Sequence, residues 1–123
     1  MIRLAIVDDH HAVRRSFADF LGEIGDFEIV GEADNGLDAV ELCRSAAPDV
    51  VVMDCRMPVM DGIDATRHIR AASPATRVIL VSAYELRELL DAGREAGAHM
   101  FVLKGLSGAE LAAHVREVAT WPA

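Results

Sequence analysis

Aromatic residues are scarce in this chain of 123 residues, and cysteine is scarcer still. Trp, Tyr and Phe together make up 5 % of the sequence, so the core must be built from aliphatic side chains and Met. The two cysteines, Cys43 and Cys55, lack the CxxC spacing of a zinc or redox site, and we expect two reduced thiols. No apolar run approaches the ~20 residues that cross a membrane, and Arg3 followed by Asp8-Asp9 does not fit a secretory signal. These absences predict a cytoplasmic protein with no membrane partner.

Basic charge is also limited, because 12 Lys and Arg stand against 20 Asp and Glu and give a net charge of −8. A surface that binds a duplex neutralises phosphates with Lys and Arg, so we expect no nucleic acid to bind through this chain. An acidic surface favours cations or basic partners instead. Apolar residues make up 52 %, and the length fits one folded domain.

Short apolar runs alternate with stretches of helical periodicity along the chain. The runs predict strands at Ile2–Val7, Ile29–Val30, Val50–Met53, Val78–Val81 and Met100–Leu103. The predicted helices run from Asp9 to Gly25, over Asn35–Ala47, Asp61–Ala72 and Tyr84–Ala96, and from Ser107 to before Pro122. Five βα units of this kind predict an α/β fold, a doubly wound five-stranded parallel sheet of order 2-1-3-4-5 with the flavodoxin-like (βα)5 arrangement. In such a sheet, ligands bind at the carboxyl ends of strands 1 and 3.

Polar residues follow the predicted strands at that edge of the sheet. Asp8 and Asp9 follow the first strand, Asp54 the third, Ser82 the fourth and Lys104 the fifth. Three carboxylates brought together repel each other, and a hard divalent cation such as Mg²⁺ removes that conflict. A metal, an ammonium group and a hydroxyl around a carboxylate are the parts that phosphoryl transfer to that carboxylate requires.

Most of these residues also have an ordinary structural interpretation. Asp9 could cap the first helix, and Ser82 stands three residues before Glu85, which is the spacing of a capping box. Lys104 could be a solvated loop residue, and we expect His10 to have a surface or capping role. Asp54 is the hardest of them to explain in this way, because a carboxylate at the end of a central apolar strand is costly unless it has a use.

With these residues, the sequence resembles the receiver domains of two-component response regulators. The resemblance runs from Ile2 to Val118 and is closest to the NarL/LuxR-type branch. It rests on the motifs Val-Asp8-Asp9-His10, Val-Gly-Glu-Ala-Asp-Asn-Gly36, Pro48-Asp-Val-Val-Val-Met-Asp54-Cys-Arg-Met-Pro58, Met60-Asp61-Gly62, Ser82-Ala83 and Phe101-Val-Leu-Lys104.

The resemblance implies a role for each acidic residue. Asp54 matches the phosphoacceptor, which takes a phosphoryl group from a sensor histidine kinase. Asp8 and Asp9 match the pair that positions Mg²⁺, with Asp9 favoured as the direct ligand, and Asp54 completes the carboxylate set. Arg56 matches the position whose backbone carbonyl also binds the metal.

The resemblance also implies a switch next to the phosphoacceptor. Ser82 matches the hydroxyl that bonds the phosphoryl group, Lys104 the lysine of the motif, and Phe101 an aromatic residue that changes rotamer; a static core ring is the alternative for Phe101. Arg56 and Tyr84 match positions that flank the path of the hydrolytic water, so we expect them to control access.

Domain and partner predictions follow from the same resemblance. Residues 1–119 would form the receiver domain and 120–123 the start of a linker to an output domain, in this branch a DNA-binding helix-turn-helix domain that this chain lacks. The chain would form a homodimer on phosphorylation and would catalyse only its own phosphorylation and dephosphorylation.

Three departures from the family pattern are visible. Val59 stands where Gly is usual, and because a β-branched residue disfavours positive φ, we expect the loop to bend differently. Gly105 replaces the frequent proline after the lysine. Phe101 lacks the hydroxyl of the more familiar Tyr. For Arg56, a salt bridge to Asp8 or Asp9 when no metal is bound is the alternative to a role in controlling access.

Two other classes of function remain open. A Mg²⁺-dependent phosphatase of the haloacid-dehalogenase type also uses an aspartate nucleophile, but its two aspartates alternate after strand 1, whereas Asp8 and Asp9 are adjacent. A receiver-like interaction module that takes no phosphoryl group is the third class, and the complete set of polar residues argues against it.

Overall fold

The computed structural model describes all 123 residues as alternating strands and helices. The elements are β1 (Ile2–Val7), α1 (His11–Glu23), β2 (Phe27–Ala33), α2 (Gly36–Ala46), β3 (Val50–Asp54), α3 (Gly62–Ala72), β4 (Arg77–Ser82), α4 (Arg87–Ala96), β5 (Met100–Leu103) and α5 (Gly108–Ala119). All strand pairs are parallel, in the order β2-β1-β3-β4-β5. The predicted fold class and strand order are confirmed.

The sheet separates two apolar cores, as expected for central strands whose inner residues are apolar on both faces. One core packs α1 and α5 against Leu4, Ile6, Val50, Val52, Ile79 and Val102. The other packs α2 and α3 against Ala5, Val7, Val51, Met53, Val78 and Leu80, with α4 beside α3. None of the five helices combines the length and the hydropathy that a membrane span needs.

The register of the central strands positions the carboxyl edge. Val7 of β1 pairs with Met53 of β3, so the residues that follow them, Asp8 and Asp54, lie side by side where the strands end. Ser82, at the end of β4, pairs with Leu103 of β5. The four strand ends that the sequence predicts to carry polar residues therefore meet at one edge.

Helix caps explain several element boundaries. Asn35 and Asp61 accept hydrogen bonds from the backbone of Asp38 and Asp64, at 2.9 and 2.8 Å, and begin α2 and α3. Ser107 begins α5 with a complete capping box.

Two predicted boundaries are wrong. β2 extends over Phe27–Ala33 rather than only Ile29–Val30, because its polar residues at the sheet edge still pair with β1. α4 begins at Arg87 rather than Tyr84, and its N-cap, Leu86, makes no side-chain cap. Ser82 therefore does not cap that helix.

The prediction for Val59 is also wrong, because its φ is 69°. Its side chain is 79 % exposed, so it meets no neighbour, and the Met60 N–H donates to the Pro58 carbonyl at 2.8 Å across a tight turn. The Met60 carbonyl in turn accepts from the Gly36 N–H at 2.8 Å, which fixes the turn against α2. A Cβ on Gly36 would lie 2.3 Å from that carbonyl oxygen, so only glycine fits there.

Both cysteines are buried and unpaired. Burial raises the pKa of the Cys43 thiol to about 12. Burial, with the nearby charge of Asp54, raises the pKa of the Cys55 thiol to about 12 as well. Both side chains are therefore protonated core residues.

The partly buried ring of His99 predicts a pH-dependent stability. Its Nδ1 accepts from the Val78 N–H at 3.1 Å, and burial with the charges of Arg70 and Arg77 lowers the pKa of His99 below its ordinary 6.5, opposed only in part by the Pro122 backbone. The unfolded chain therefore binds this proton more readily, and stability falls as the pH drops below 6.5.

We expect thermal unfolding to show a larger loss of Tm between about pH 7.5 and about pH 5 in the wild type than in His99→Gln. His68→Gln, on the exposed side of α3, is the matched control and should behave as the wild type. Equal losses in His99→Gln and the wild type would contradict the assignment.

Candidate functional site

A compact polar cluster lies at the carboxyl edge, where β1 and β3 end. Asp8, Asp9, His10 and Asp54 each place one ligand atom within 4.8 Å of the others. Residues separated by more than 40 positions in sequence meet here because β1 and β3 are neighbours in the sheet.

Asp54 is the most enclosed member of the cluster, and only 4 % of it is exposed. Lys104 Nζ donates to Asp54 Oδ2 at 2.8 Å, and the Arg56 backbone N–H approaches Oδ1 at 3.4 Å. The Lys104 N–H donates to the Ser82 carbonyl at 2.8 Å, which directs the lysine from the end of β5 towards Asp54. Asp54 therefore keeps Oδ1 almost free beside the other carboxylates.

In the Asp54–Lys104 pair, the positive charge of the lysine does not fully offset the effects that disfavour the Asp54 anion. Burial raises the pKa of Asp54, the charge of Asp8 raises it further, and Lys104 offsets only part of the effect. Partial burial opposes the charge of Lys104, but its bond to Asp54 and the charges of Asp8 and Asp9 outweigh this and raise the pKa of Lys104. The lysine is thus held as a cation, while the anionic form of Asp54 needs more positive charge than the lysine supplies.

The segment between β1 and α1 orients the other carboxylates. Asp8 Oδ1 accepts from the His10 N–H at 2.9 Å, and His10 Nδ1 lies 3.0 Å from the same oxygen and 3.3 Å from Asp9 Oδ1. The N-cap of α1 is His10, with no side-chain cap, so Asp9 is not the capping residue. His10 holds the predicted cap position, but sequence analysis missed its contact with the acidic pair; its adjacency to Asp8-Asp9 was the available signal.

The donor set fits a hard divalent cation. Carboxylates from Asp8, Asp9 and Asp54 supply the oxygen ligands that Mg²⁺ prefers, and the half-exposed Asp9 leaves room for water. The positive charge missing around Asp54 is of the kind such an ion provides.

Ser82 is buried next to the cluster but is engaged elsewhere. Its Oγ donates to the Tyr84 carbonyl at 3.0 Å and accepts from the Tyr84 N–H at 3.1 Å. This local turn ends β4 and explains why α4 begins later than predicted.

Arg56 and Tyr84, each two residues beyond a buried site residue, contact each other at the surface. The Arg56 guanidinium carbon lies 5.7 Å from the centre of the Tyr84 ring, a cation–π contact between two exposed side chains. Arg56 makes no salt bridge with Asp8 or Asp9, so that prediction is wrong; its side chain turns towards the aromatic ring instead.

Phe101 lies on the face of β5 that packs against the core of α2 and α3, whereas the next residue, Val102, faces the core of α1 and α5. A Cβ added to Gly93 would lie 3.4 Å from the Phe101 ring, so the missing side chain lets α4 sit close to it. The ring is half-buried rather than enclosed.

A cavity of about 420 Å³ adjoins Asp54 on the side of α1 and α5. Asp8, Asp54 and Lys104 line its polar part, and Val13, Phe17 and Leu106 are among its apolar walls. Gly105, with φ 98°, forms part of the same wall, in a conformation that glycine adopts without strain. There is space beside the carboxylate for a tetrahedral group.

The cost of the Asp54 charge leads to a stability prediction. Without divalent cations, Asp54→Asn should raise Tm at neutral pH by a few degrees, since about 1 kcal/mol shifts Tm of a domain of this size by roughly 3–6 °C. The gain should vanish at a pH low enough to protonate Asp54, because the raised pKa penalises only the anion.

Thermal unfolding in a chelator, at neutral and acidic pH, measures the effect. Asp64→Asn, which removes an exposed carboxylate paired with Arg67 on α3, is the control and should change Tm little. A lower Tm for Asp54→Asn at neutral pH would contradict the electrostatic account.

Comparison with known proteins places the chain in a family. Residues 4–116 match the response regulator receiver domain. The chain is 36 % identical to the response regulator GacA of Pseudomonas aeruginosa over 118 residues, which is 96 % of this chain and 55 % of GacA. It is also 36 % identical to UvrY of Escherichia coli, over 96 % of this chain and 54 % of UvrY. The chain thus spans about half the length of these relatives.

Solved structures agree with this result. The receiver domain of NarL from Mycobacterium tuberculosis has a TM-score of 0.91 and 35 % identity, covering 96 % of this chain and 95 % of that one. The CheX-CheY-BeF3-Mg+2 complex from Borrelia burgdorferi contains a chain with a TM-score of 0.84 and 30 % identity, covering 98 % and 90 %. The chain belongs to the receiver-domain family of two-component response regulators, with relatives of the NarL/LuxR type.

Proposed function

We propose that this chain is a phosphoacceptor switch in which Asp54 receives the phosphoryl group of a sensor kinase's phosphohistidine. The observation that supports this most directly is the enclosed Asp54 carboxylate, bonded to Lys104 Nζ at 2.8 Å and grouped with Asp8 and Asp9. A buried carboxylate with a free oxygen beside a cavity has the position that an attacking nucleophile needs.

The proposed reaction is the direct transfer of a phosphoryl group from a nitrogen to an oxygen. An Asp54 oxygen forms the new O–P bond while the N–P bond of the phosphohistidine breaks, and the bonding electron pair returns to the imidazole nitrogen. Lys104 lies beside the acceptor carboxylate, so its ammonium stabilises negative charge on the phosphoryl oxygens. The chain would catalyse only this step and the hydrolysis that reverses its effect.

Asp8, Asp9, Asp54 and the backbone carbonyl of Arg56 would hold Mg²⁺, with Asp9 as a direct ligand. When bound, Mg²⁺ would neutralise phosphoryl oxygens and the surplus charge of the carboxylates. The solved complex that contains a similar CheY chain is described with both BeF3 and Mg, which supports this ion for the present site.

Ser82 and Phe101 would transmit the modification. A phosphoryl dianion on Asp54 attracts the Ser82 hydroxyl, which must then release the Tyr84 carbonyl that it now bonds at 3.0 Å. The turn after β4 would move with it, and the half-buried Phe101 ring would rotate into the space vacated. The surface of α4, β5 and α5 would change as a result.

The output of the switch would be transcription, through a helix-turn-helix domain outside this chain. The relatives include the DNA-binding transcriptional activator DevR/DosR of Mycobacterium tuberculosis, of which the chain covers 54 %. The net charge of −8 fits a module that leaves DNA contact to another domain. Dimerisation on phosphorylation and a cytoplasmic location complete the proposal.

A small phosphodonor tests the central claim. With acetyl phosphate and Mg²⁺, the wild type should gain the mass of one phosphoryl group at Asp54, whereas Asp54→Asn should not. Asp64→Asn, which lies outside the site, should be labelled like the wild type. Intact-mass spectrometry with peptide mapping gives the result.

The same experiment separates the alternatives. Repeated turnover of the donor without a stable adduct would indicate a phosphatase. An unmodified wild type would indicate an interaction module. Normal labelling of Asp54→Asn would remove Asp54 from its proposed role.

The contact between Arg56 and Tyr84 predicts slow loss of the phosphoryl group. The family resemblance puts both residues beside the path of the hydrolytic water, and their side chains contact each other there, so the double variant Arg56→Ala, Tyr84→Ala should dephosphorylate several-fold faster after the donor is removed. Arg67→Ala, an exposed arginine on α3, is the control for loss of charge. Equal decay rates in the double variant and the wild type would exclude a shielding role.

A further inference from the structure

We propose that His10 is a nitrogen ligand of the cation site and makes this site bind zinc-like divalent ions more tightly than Mg²⁺. The proposal rests on the cation site of the proposed function and adds a nitrogen ligand, which increases the preference for zinc-like ions beyond that of the three carboxylates alone.

The position of the imidazole supports this role. His10 Nδ1 donates a hydrogen bond to Asp8 Oδ1 at 3.0 Å and lies 3.3 Å from Asp9 Oδ1, and all three atoms lie within 4.8 Å of a carboxylate oxygen of Asp54. Two ligands of one zinc ion, each about 2.0–2.2 Å from it, are about 3.3–3.6 Å apart at tetrahedral angles. The distance to Asp9 matches this spacing, and an ion that replaces the Nδ1 proton in the bond to Asp8 would bind the nitrogen together with both carboxylates.

The chemistry of the donor set determines the selectivity. Mg²⁺ binds oxygen almost exclusively and keeps several waters, so it gains little from an imidazole. Zn²⁺ and Ni²⁺ accept imidazole and carboxylate together, and they bind mixed nitrogen and oxygen sites more tightly than the ions early in the first transition series. One histidine among three aspartates therefore favours these ions over Mg²⁺.

The backbone around His10 keeps the ring at the cluster. The His10 N–H donates to Asp8 Oδ1 at 2.9 Å, which ties the residue to the acidic pair. His10 also makes no side-chain cap on α1, so its ring is not committed to the helix. Loss of the ring should leave the helix start unharmed, particularly in His10→Asn, since Asn is a preferred N-cap.

His11 provides a matched control within the same segment. Its Nδ1 lies 2.9 Å from Arg14 Nη2, so this ring is engaged with the first turn of α1 and not with the carboxylates. His11→Asn removes an imidazole next to the site without removing the proposed ligand.

Binding through His10 would also affect the proposed phosphorylation. A zinc ion held by Asp8, Asp9 and His10 would draw on Asp54 as its fourth ligand, and that carboxylate would lose its free oxygen. Zinc-like ions should therefore inhibit labelling of Asp54 in competition with Mg²⁺.

Titration calorimetry of the intact chain with Zn²⁺ and with Mg²⁺ tests the selectivity without any phosphodonor. His10→Asn should lose about ten-fold or more of its Zn²⁺ affinity, a loss at least as large as that caused by removing a supporting residue of a metal site. Its Mg²⁺ affinity should stay within about two-fold, because Asn still offers an oxygen. His11→Asn should match the wild type with both ions.

Nitrogen-detected NMR of the histidine rings gives a direct readout. Zn²⁺ should shift the His10 Nδ1 resonance and Mg²⁺ should leave it in place. An unshifted His10 resonance, or an equal loss of Zn²⁺ affinity in His10→Asn and His11→Asn, would overturn the proposal.

The labelling experiment keeps this proposal separate from the proposed function. In the presence of Mg²⁺, Zn²⁺ should inhibit labelling of the wild type and of His11→Asn at a concentration about ten-fold lower than for His10→Asn. If Mg²⁺ supports labelling but inhibition is the same in all three proteins, His10 is not the ligand. If no labelling occurs with Mg²⁺ while the His10 resonance still responds to Zn²⁺, the proposed function fails and the metal ligand stands.

Discussion

The enclosed carboxylate of Asp54 is the constraint on which the rest of the site depends. A negative charge at the end of a central strand, 4 % exposed, is disfavoured by desolvation and by Asp8. One bond from Lys104, at 2.8 Å, offsets part of that cost. Because part of this cost remains, additional positive charge beside Asp54 would stabilise its anionic form. A change in the charge of Asp54 should therefore alter its interactions with Lys104 and Asp8 and so affect the conformation of the site.

The fold produces this arrangement through strand order rather than through a local motif. Because β1 and β3 are neighbours and β4 and β5 follow, the chain returns to the same edge after each helix. The pairing of Val7 with Met53 sets Asp8 beside Asp54, and the bond from the Lys104 N–H to Ser82 brings the lysine across two strands. Packing of two apolar cores against the sheet holds these strand ends in register.

The sequence predicted the features that depend on strand ends and missed those that depend on where side chains turn. Strand order and the grouping of Asp8, Asp9, Asp54 and Lys104 follow from apolar runs that end in polar residues. The start of α4 was predicted wrongly because the Ser82 hydroxyl closes a turn on Tyr84. The tertiary bond from the Gly36 N–H to the Met60 carbonyl, which holds the turn at Val59, and the ring that attracts Arg56 are contacts without a local signature.

Tyr84 links the inner and outer parts of the site. Its backbone carbonyl accepts from Ser82 and its ring lies under Arg56, 5.7 Å from the guanidinium carbon. Any displacement of Ser82 towards Asp54 would therefore disturb the residue whose ring contacts Arg56. If Arg56 and Tyr84 shield Asp54 as proposed, access to Asp54 and the conformation of the loop after β4 would be coupled through Tyr84, and the lifetime of the modified state would vary together with its structural effect.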